Sequence, residues 1–149
     1  MKIIFLSIFT LISVNVKAEK PENQIFELIY SKNILSAKKL ILNKPEILSI
    51  KGKFGQTPLI AATNLNRKEL IELIIKNSKT INEQDLGGAT ALHIAARNGN
   101  TEIVKLLIDN GANLNIHDNQ DYTPLTRALE FQRHDIVELI RQKSKTKAS

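Results

Sequence analysis

Gly88-Ala89-Thr90-Ala91-Leu92-His93-Ile94-Ala95-Ala96-Arg97-Asn98-Gly99-Asn100-Thr101-Glu102-Ile103-Val104-Lys105-Leu106-Leu107-Ile108-Asp109-Asn110-Gly111 is the stretch that decides the fold, because its pattern recurs. Thr57-Pro58-Leu59 lies 33 residues before Thr90-Ala91-Leu92, and Thr123-Pro124-Leu125 lies 33 residues after it. An apolar block follows each Thr at one fixed distance: Leu70-Ile71-Glu72-Leu73-Ile74-Ile75, then Ile103-Val104-Lys105-Leu106-Leu107-Ile108, then Ile136-Val137-Glu138-Leu139-Ile140. A single charge interrupts each block at the same place. Such self-similarity marks a supersecondary unit that buries its apolar face only by stacking on its copies.

Local chemistry predicts two short helices per unit. A Thr hydroxyl caps an N-terminus by accepting a bond from an otherwise unpaired N–H, and Pro58 and Pro124 suit the first helical turn. Ala61-Ala62, Ala95-Ala96 and Ala128 leave room for close helix approach. Asn66 and Gly99 break the chain, and Glu69, Glu102 and Asp135 then stand in the first turn of a second helix, where the macrodipole favours them. Apolar residues at i, i+1, i+3 and i+4 form a stripe wide enough to need neighbours on both sides, so Leu106 is expected to be buried. Gly111 ends the helix of the third unit, with Ser78 and Ser144 at the equivalent places. Between units, Gly, Asn and Asp in Ile81 to Gly88 and in Leu114 to Asp121 suit tight projecting turns.

These residues resemble the ankyrin repeat, whose 33-residue unit carries a Thr-Pro-Leu-His-x-Ala signature, two antiparallel helices and a hairpin finger. Gly88 to Asn115 is a near-complete match. Stepping back from Thr57, Phe26-Glu27-Leu28-Ile29-Tyr30 and Ala37-Lys38-Lys39-Leu40-Ile41-Leu42 keep the two-helix rhythm without the Thr-Pro, as a terminal cap does. The last unit departs with Thr126 for His, Arg127 at an apolar position, Gln132 for Gly and Asp121 for the finger Gly. The resemblance implies an all-α solenoid of helix-turn-helix units joined by β-hairpin loops. About four repeats are expected, near 24–52, 53–85, 86–118 and 119–142, within a domain spanning 19–142. Residues 143–149 are expected to form a disordered basic tail.

At the N-terminus, Met1 and Lys2 precede an apolar run from Ile3 to Val14, and Val16-Lys17-Ala18 offers small side chains at a cleavage site. Residues 1–18 read as a signal peptide cut between Ala18 and Glu19, since the run is too short to span a bilayer. No membrane contact is expected after cleavage. Zero cysteines close the lipoprotein route and exclude disulfides and thiolate sites. Isoleucine, lysine and asparagine make up about a third of the chain, which suits an AT-rich bacterial genome. The expected location is secreted or periplasmic.

Removing Lys2 and Lys17 lowers the net charge from +6 to +4, and Arg141, Lys143, Lys145 and Lys147 account for the remainder. The repeat body is close to neutral and has no basic patch interleaved with aromatics, so nucleic acid is not an expected partner. No cofactor or metal is expected either, because His117 and His134 lack a second ligand at metal spacing and Gly87-Gly88 lacks the surroundings of a phosphate loop. His93 has, by the resemblance, a structural role tying Thr90 to neighbouring backbone. A catalytic constellation is missing, and the chain is not expected to be an enzyme.

What remains is surface. The resemblance places partner contacts on the finger tips and the exposed edge of the first helices. In the second unit these are Lys51, Lys53, Phe54, Gln56, Asn64 and Leu65. The third contributes Gln84, Leu86, Ala89, Arg97 and Asn98, and the fourth His117, Asn119, Gln120, Tyr122, Glu130 and Phe131. Phe54, Leu65, Leu86, Tyr122 and Phe131 supply apolar groups on a polar rim, a usual interface composition. The expectation is a monomer that binds an unidentified protein. A secreted effector of a host protein and a membrane-tethered scaffold that keeps its N-terminal helix are the alternatives.

Overall fold

A computed structural model describes residues 21–31 and 33–147 of the chain. The signal segment, with the Ala18–Glu19 cleavage site, lies outside them. Four helical hairpins follow one another: α1 (Pro21–Tyr30) with α2 (Ile34–Asn43), α3 (Pro58–Asn64) with α4 (Lys68–Asn77), α5 (Ala91–Asn98) with α6 (Thr101–Asp109), and α7 (Pro124–Glu130) with α8 (His134–Lys147). The odd-numbered helices pack side by side as an inner layer, backed by contacts of α2 with α4 and of α6 with α8. Among the described residues there is no strand, and the loops between units are closed turns.

The inner helices α3, α5 and α7 each begin where a Thr hydroxyl accepts from the amide three residues on, Thr57 from Ile60 at 3.2 Å, Thr90 from His93 at 3.4 Å and Thr123 from Thr126 at 3.3 Å. His93 and Thr126 reciprocate toward the backbone of their caps, so a Thr replaces the signature His without losing the box. Ala62, Ala95 and Ala128 are each fully buried at the same register, where a larger side chain would push the layers apart. The turn after each of these three helices needs a left-handed residue, and Asn66, Gly99 and Gln132 supply it at φ 53°, 79° and 56°.

The outer helices are in register as well. Leu70, Ile103 and Ile136, then Ile71, Val104 and Val137, then Ile74, Leu107 and Ile140 face the inner layer and are buried. Leu106 is different from expectation. With Leu73 and Leu139 it lies half-buried on the flank, because the inward stripe is set by 103, 104 and 107.

The tail is a second correction. Residues 143–147 continue α8 as helix past Ser144, the position equivalent to Gly111, although Ser78 at the same place ends α4. Ser144 Oγ instead bonds back to the Ile140 carbonyl at 2.9 Å, and Lys143 pairs with Asp109 at 2.7 Å. Lys143 and Lys145 also sit near the C-terminus of α8, where the helix dipole favours cations.

Candidate binding surface

Three fingers project between the units, at residues 52–56, 85–89 and 118–122. In each, the first amide donates to the fifth carbonyl: Gly52 to Gln56 at 2.9 Å, Asp85 to Ala89 at 3.0 Å and Asp118 to Tyr122 at 2.9 Å. The fourth residue turns left-handed, with Gly55 at φ 71°, Gly88 at 75° and Asp121 at 64°. Asp85 Oδ1 accepts from Gly87 and Ala89, both at 2.9 Å, and Asp118 Oδ1 accepts from Gln120 at 2.9 Å and Tyr122 at 3.1 Å. The first finger has Gly52 at that place because a Cβ there would stand 2.8 Å from the Phe26 ring.

The fingers are tied to one another. Leu86 N donates to the Phe54 carbonyl at 2.9 Å, and one unit later Asn119 N donates to Gly87 at 3.0 Å. Side chains repeat the link: Asn119 Nδ2 reaches the Leu86 carbonyl, Gln84 Nε2 the His117 carbonyl, and Lys51 Nζ the Gln84 carbonyl. His93 joins helix to finger, with Nδ1 facing the Thr90 amide at 3.2 Å and Nε2 3.0 Å from the Tyr122 carbonyl. That arrangement requires the neutral imidazole with its proton on Nε2. Burial lowers the His93 pKa, against the opposing pull of the Tyr122 carbonyl and Asp118.

The expected contact residues divide into two groups. Gln56 donates to the Tyr30 hydroxyl, Gln120 Oε1 accepts from Arg127 at 2.6 Å, Asn119 is bound to the finger before it, and Leu65 packs half-buried on the core. The Tyr122 ring is half-buried under the Arg127 guanidinium, 4.3 Å from its centroid. These side chains build the surface. Lys53, Phe54, Leu86, Arg97 and Phe131 are presented by it. Phe54 is 69% exposed and Leu86 73%, and the Lys53 ammonium stands 5.2 Å from the Phe54 ring. Phe54 also holds φ 62°, a conformation that a bulky residue adopts rarely and at a cost of ~1 to 3 kcal/mol. Arg97 reaches back to Asn64 Oδ1 at 3.4 Å, and Phe131 borders the groove between α5 and α7.

Two features escaped the sequence reading. Phe26, Tyr30 and Phe54 line a groove of about 480 Å³ between α1 and the first finger. Asp118, 1% exposed at its side chain, pairs with Arg127 Nη2 at 2.6 Å, and Arg127 also holds Glu130 at 2.8 Å. Burial disfavours the Asp118 carboxylate, but the finger amides and Arg127 outweigh it and hold its pKa below the ordinary value. The signal was present: an Arg at an apolar position, nine residues after an Asp that recurs 33 residues earlier. Among the described residues no group of His, Cys, Asp and Glu has the geometry of a metal site.

A stacked face of fingers and helix edges defines a helical repeat scaffold. The family model for ankyrin repeats in three copies matches residues 25–118 and 64–148, so the chain belongs to the ankyrin repeat family. Ankyrin repeats generally serve as protein–protein interaction modules. No curated relative matches the chain in sequence.

Proposed function

We propose that this protein is an exported, non-enzymatic binding module that holds a protein partner on its fingers and inner-helix edges, after removal of residues 1–18. The observation that carries this reading is the exposure of Phe54 and Leu86 on adjacent fingers joined by a backbone hydrogen bond. Large apolar groups fixed at neighbouring tips are a ready anchor pair, since ordering them on binding costs little further entropy. The polar side chains around them are already paired within the molecule, as in the rim of an interface. No helix among the described residues is long and apolar enough to cross a membrane, which is compatible with release once the leader is cut.

Two measurements test the proposal. Intact mass of protein recovered from an exporting cell should correspond to a chain starting at Glu19; a mass retaining Met1 to Ala18 would favour the tethered scaffold. Affinity capture with Phe54→Ser/Leu86→Ser should lose the protein retained by the unmodified chain, at an unchanged melting midpoint. Equal retention by both would place the partner elsewhere. Each anchor lost is expected to cost about 2 kcal/mol of binding, roughly thirtyfold in affinity.

A further inference from the structure

The repeat body is neutral only as a sum. Residues 32–79 hold ten Lys and Arg against three Glu, a net of +7, while residues 80–140 hold four against nine acids, a net of −5. Ion pairs engage part of the first excess: Lys38 with Glu69, Lys51 with Glu83, and Lys68 with Glu72 and Glu102. Among the described residues, Lys39, Lys44 and Lys76 are exposed and in no ion pair, and Glu46 is the one acid of residues 32–79 left likewise. Lys44 caps the C-terminus of α2, and Lys76 stands in the last turn of α4.

Exposed leucines accompany these cations. Leu35, Lys39 and Leu42 follow at i, i+4 and i+7 and so share one face of α2, about 10 Å long. Leu35 is 79% exposed and Leu42 63%. An end unit ordinarily shows water a polar face, and the residues 33 and 66 positions after Leu35 are Lys68 and Thr101, so the repeat does not require a leucine there. Leu42 also borders a groove of about 330 Å³ between α2 and α4, lined by Lys38, Glu69, Glu72, Leu73 and Lys76, in which Glu69 and Glu72 already face Lys38 and Lys68. From this charge pattern around bare leucines we infer that the outer face of the first two units docks on an anionic lipid surface, with Leu35 and Leu42 entering the headgroup region and Lys39, Lys44 and Lys76 meeting the phosphates. A helix that presents Leu and Lys to a bilayer adds buried apolar area to electrostatic attraction. Nucleic acid would meet the cations and leave both leucines in water. The contact uses the outer layer, so the fingers and inner-helix edges stay open to a protein partner at the same time.

The chain has no Trp, so Leu42→Trp provides a fluorescent reporter confined to this face. Its emission should shift to the blue with phosphatidylglycerol vesicles and stay in place with phosphatidylcholine vesicles, whether or not residues 1–18 are present. Phe131→Trp, on the inner side, should stay in place with both. Adding Lys39→Glu, Lys44→Glu and Lys76→Glu to the reporter should weaken partition into phosphatidylglycerol at least about tenfold. Raising salt from about 0.05 to 0.5 M should weaken it as well, and this series decides the matter if melting midpoints show the charge variant unfolded. No shift with phosphatidylglycerol, an equal shift with phosphatidylcholine, an equal shift at Phe131→Trp, or partition indifferent to salt and to charge reversal overturns the inference. So does an equal shift with duplex DNA or polyglutamate, which would assign the face to polyanions rather than to lipid.

Discussion

Gln132 stands where Gly99 stands one unit earlier, and it accepts the same left-handed backbone, φ 56° against 79°. For a residue with a Cβ that conformation costs about 1 to 2 kcal/mol, partly offset by the greater entropy a glycine loses on folding. Gln132→Gly should therefore raise stability by about 0.5 to 1 kcal/mol in a urea melt. A decrease would show that the Gln side chain makes a contact outweighing its strain. His93 carries the other residue-scale prediction. Its folded pKa lies below the ordinary 6.5, so the unfolded chain takes up the proton first and stability must fall as pH drops below that value. Above it the neutral-imidazole contribution is complete. Asp118, also shifted down, adds a separate loss at lower pH, as acid approaches its depressed pKa. In His93→Gln the first decline should vanish and the second remain, with lower stability at neutral pH. An unchanged profile between pH 8 and 5 would contradict the buried neutral imidazole. The role of His93 was legible from the signature around it; its reach to Tyr122 in the next finger was not, since that contact joins residues 29 apart.

At the scale of the element, the outer helices distinguish two leucines that adjoin in sequence. Leu107 is fully buried against the inner layer, while Leu106 sits on the flank. Leu107→Ala should cost ~2 to 5 kcal/mol and Leu106→Ala distinctly less, a contrast that paired denaturant melts resolve. Equal losses would mean that the outer helices are rotated from the described register. The apolar block alone could not separate the two, because five apolar positions in six cover both the face and its edge. Helix starts were plain in the sequence, where Thr and Pro perform chemistry that few other residues can. The end of α8 was less so. Basic residues spaced along a terminus look like a solvated tail, and Ser144 gave no signal either, since Ser78 at the equivalent place ends α4.

For the molecule as a whole, the 33-residue interval gives the stacking of the last three units, and the first follows by stepping back from Thr57 to a pair of apolar segments. The partner face was legible only in outline. Its finger positions follow from the repeat, but the groove of Phe26, Tyr30 and Phe54 joins the first finger to a cap that has lost the signature. The ion pair of Asp118 with Arg127 depends on side-chain reach rather than on pattern. One feature of the fingers matters when force is applied. Successive fingers are joined by one backbone bond each, Leu86 to Phe54 and Asn119 to Gly87, beside side-chain links and the packing of neighbouring inner helices. A load on the two ends of the stack parts these junctions, which repeat from unit to unit, so the molecule should lengthen in steps as units peel away. A freed unit of 33 residues releases roughly 110 Å of extended chain. An optical trap should record that spacing, and a partner bridging the fingers should raise the force at which the first step occurs.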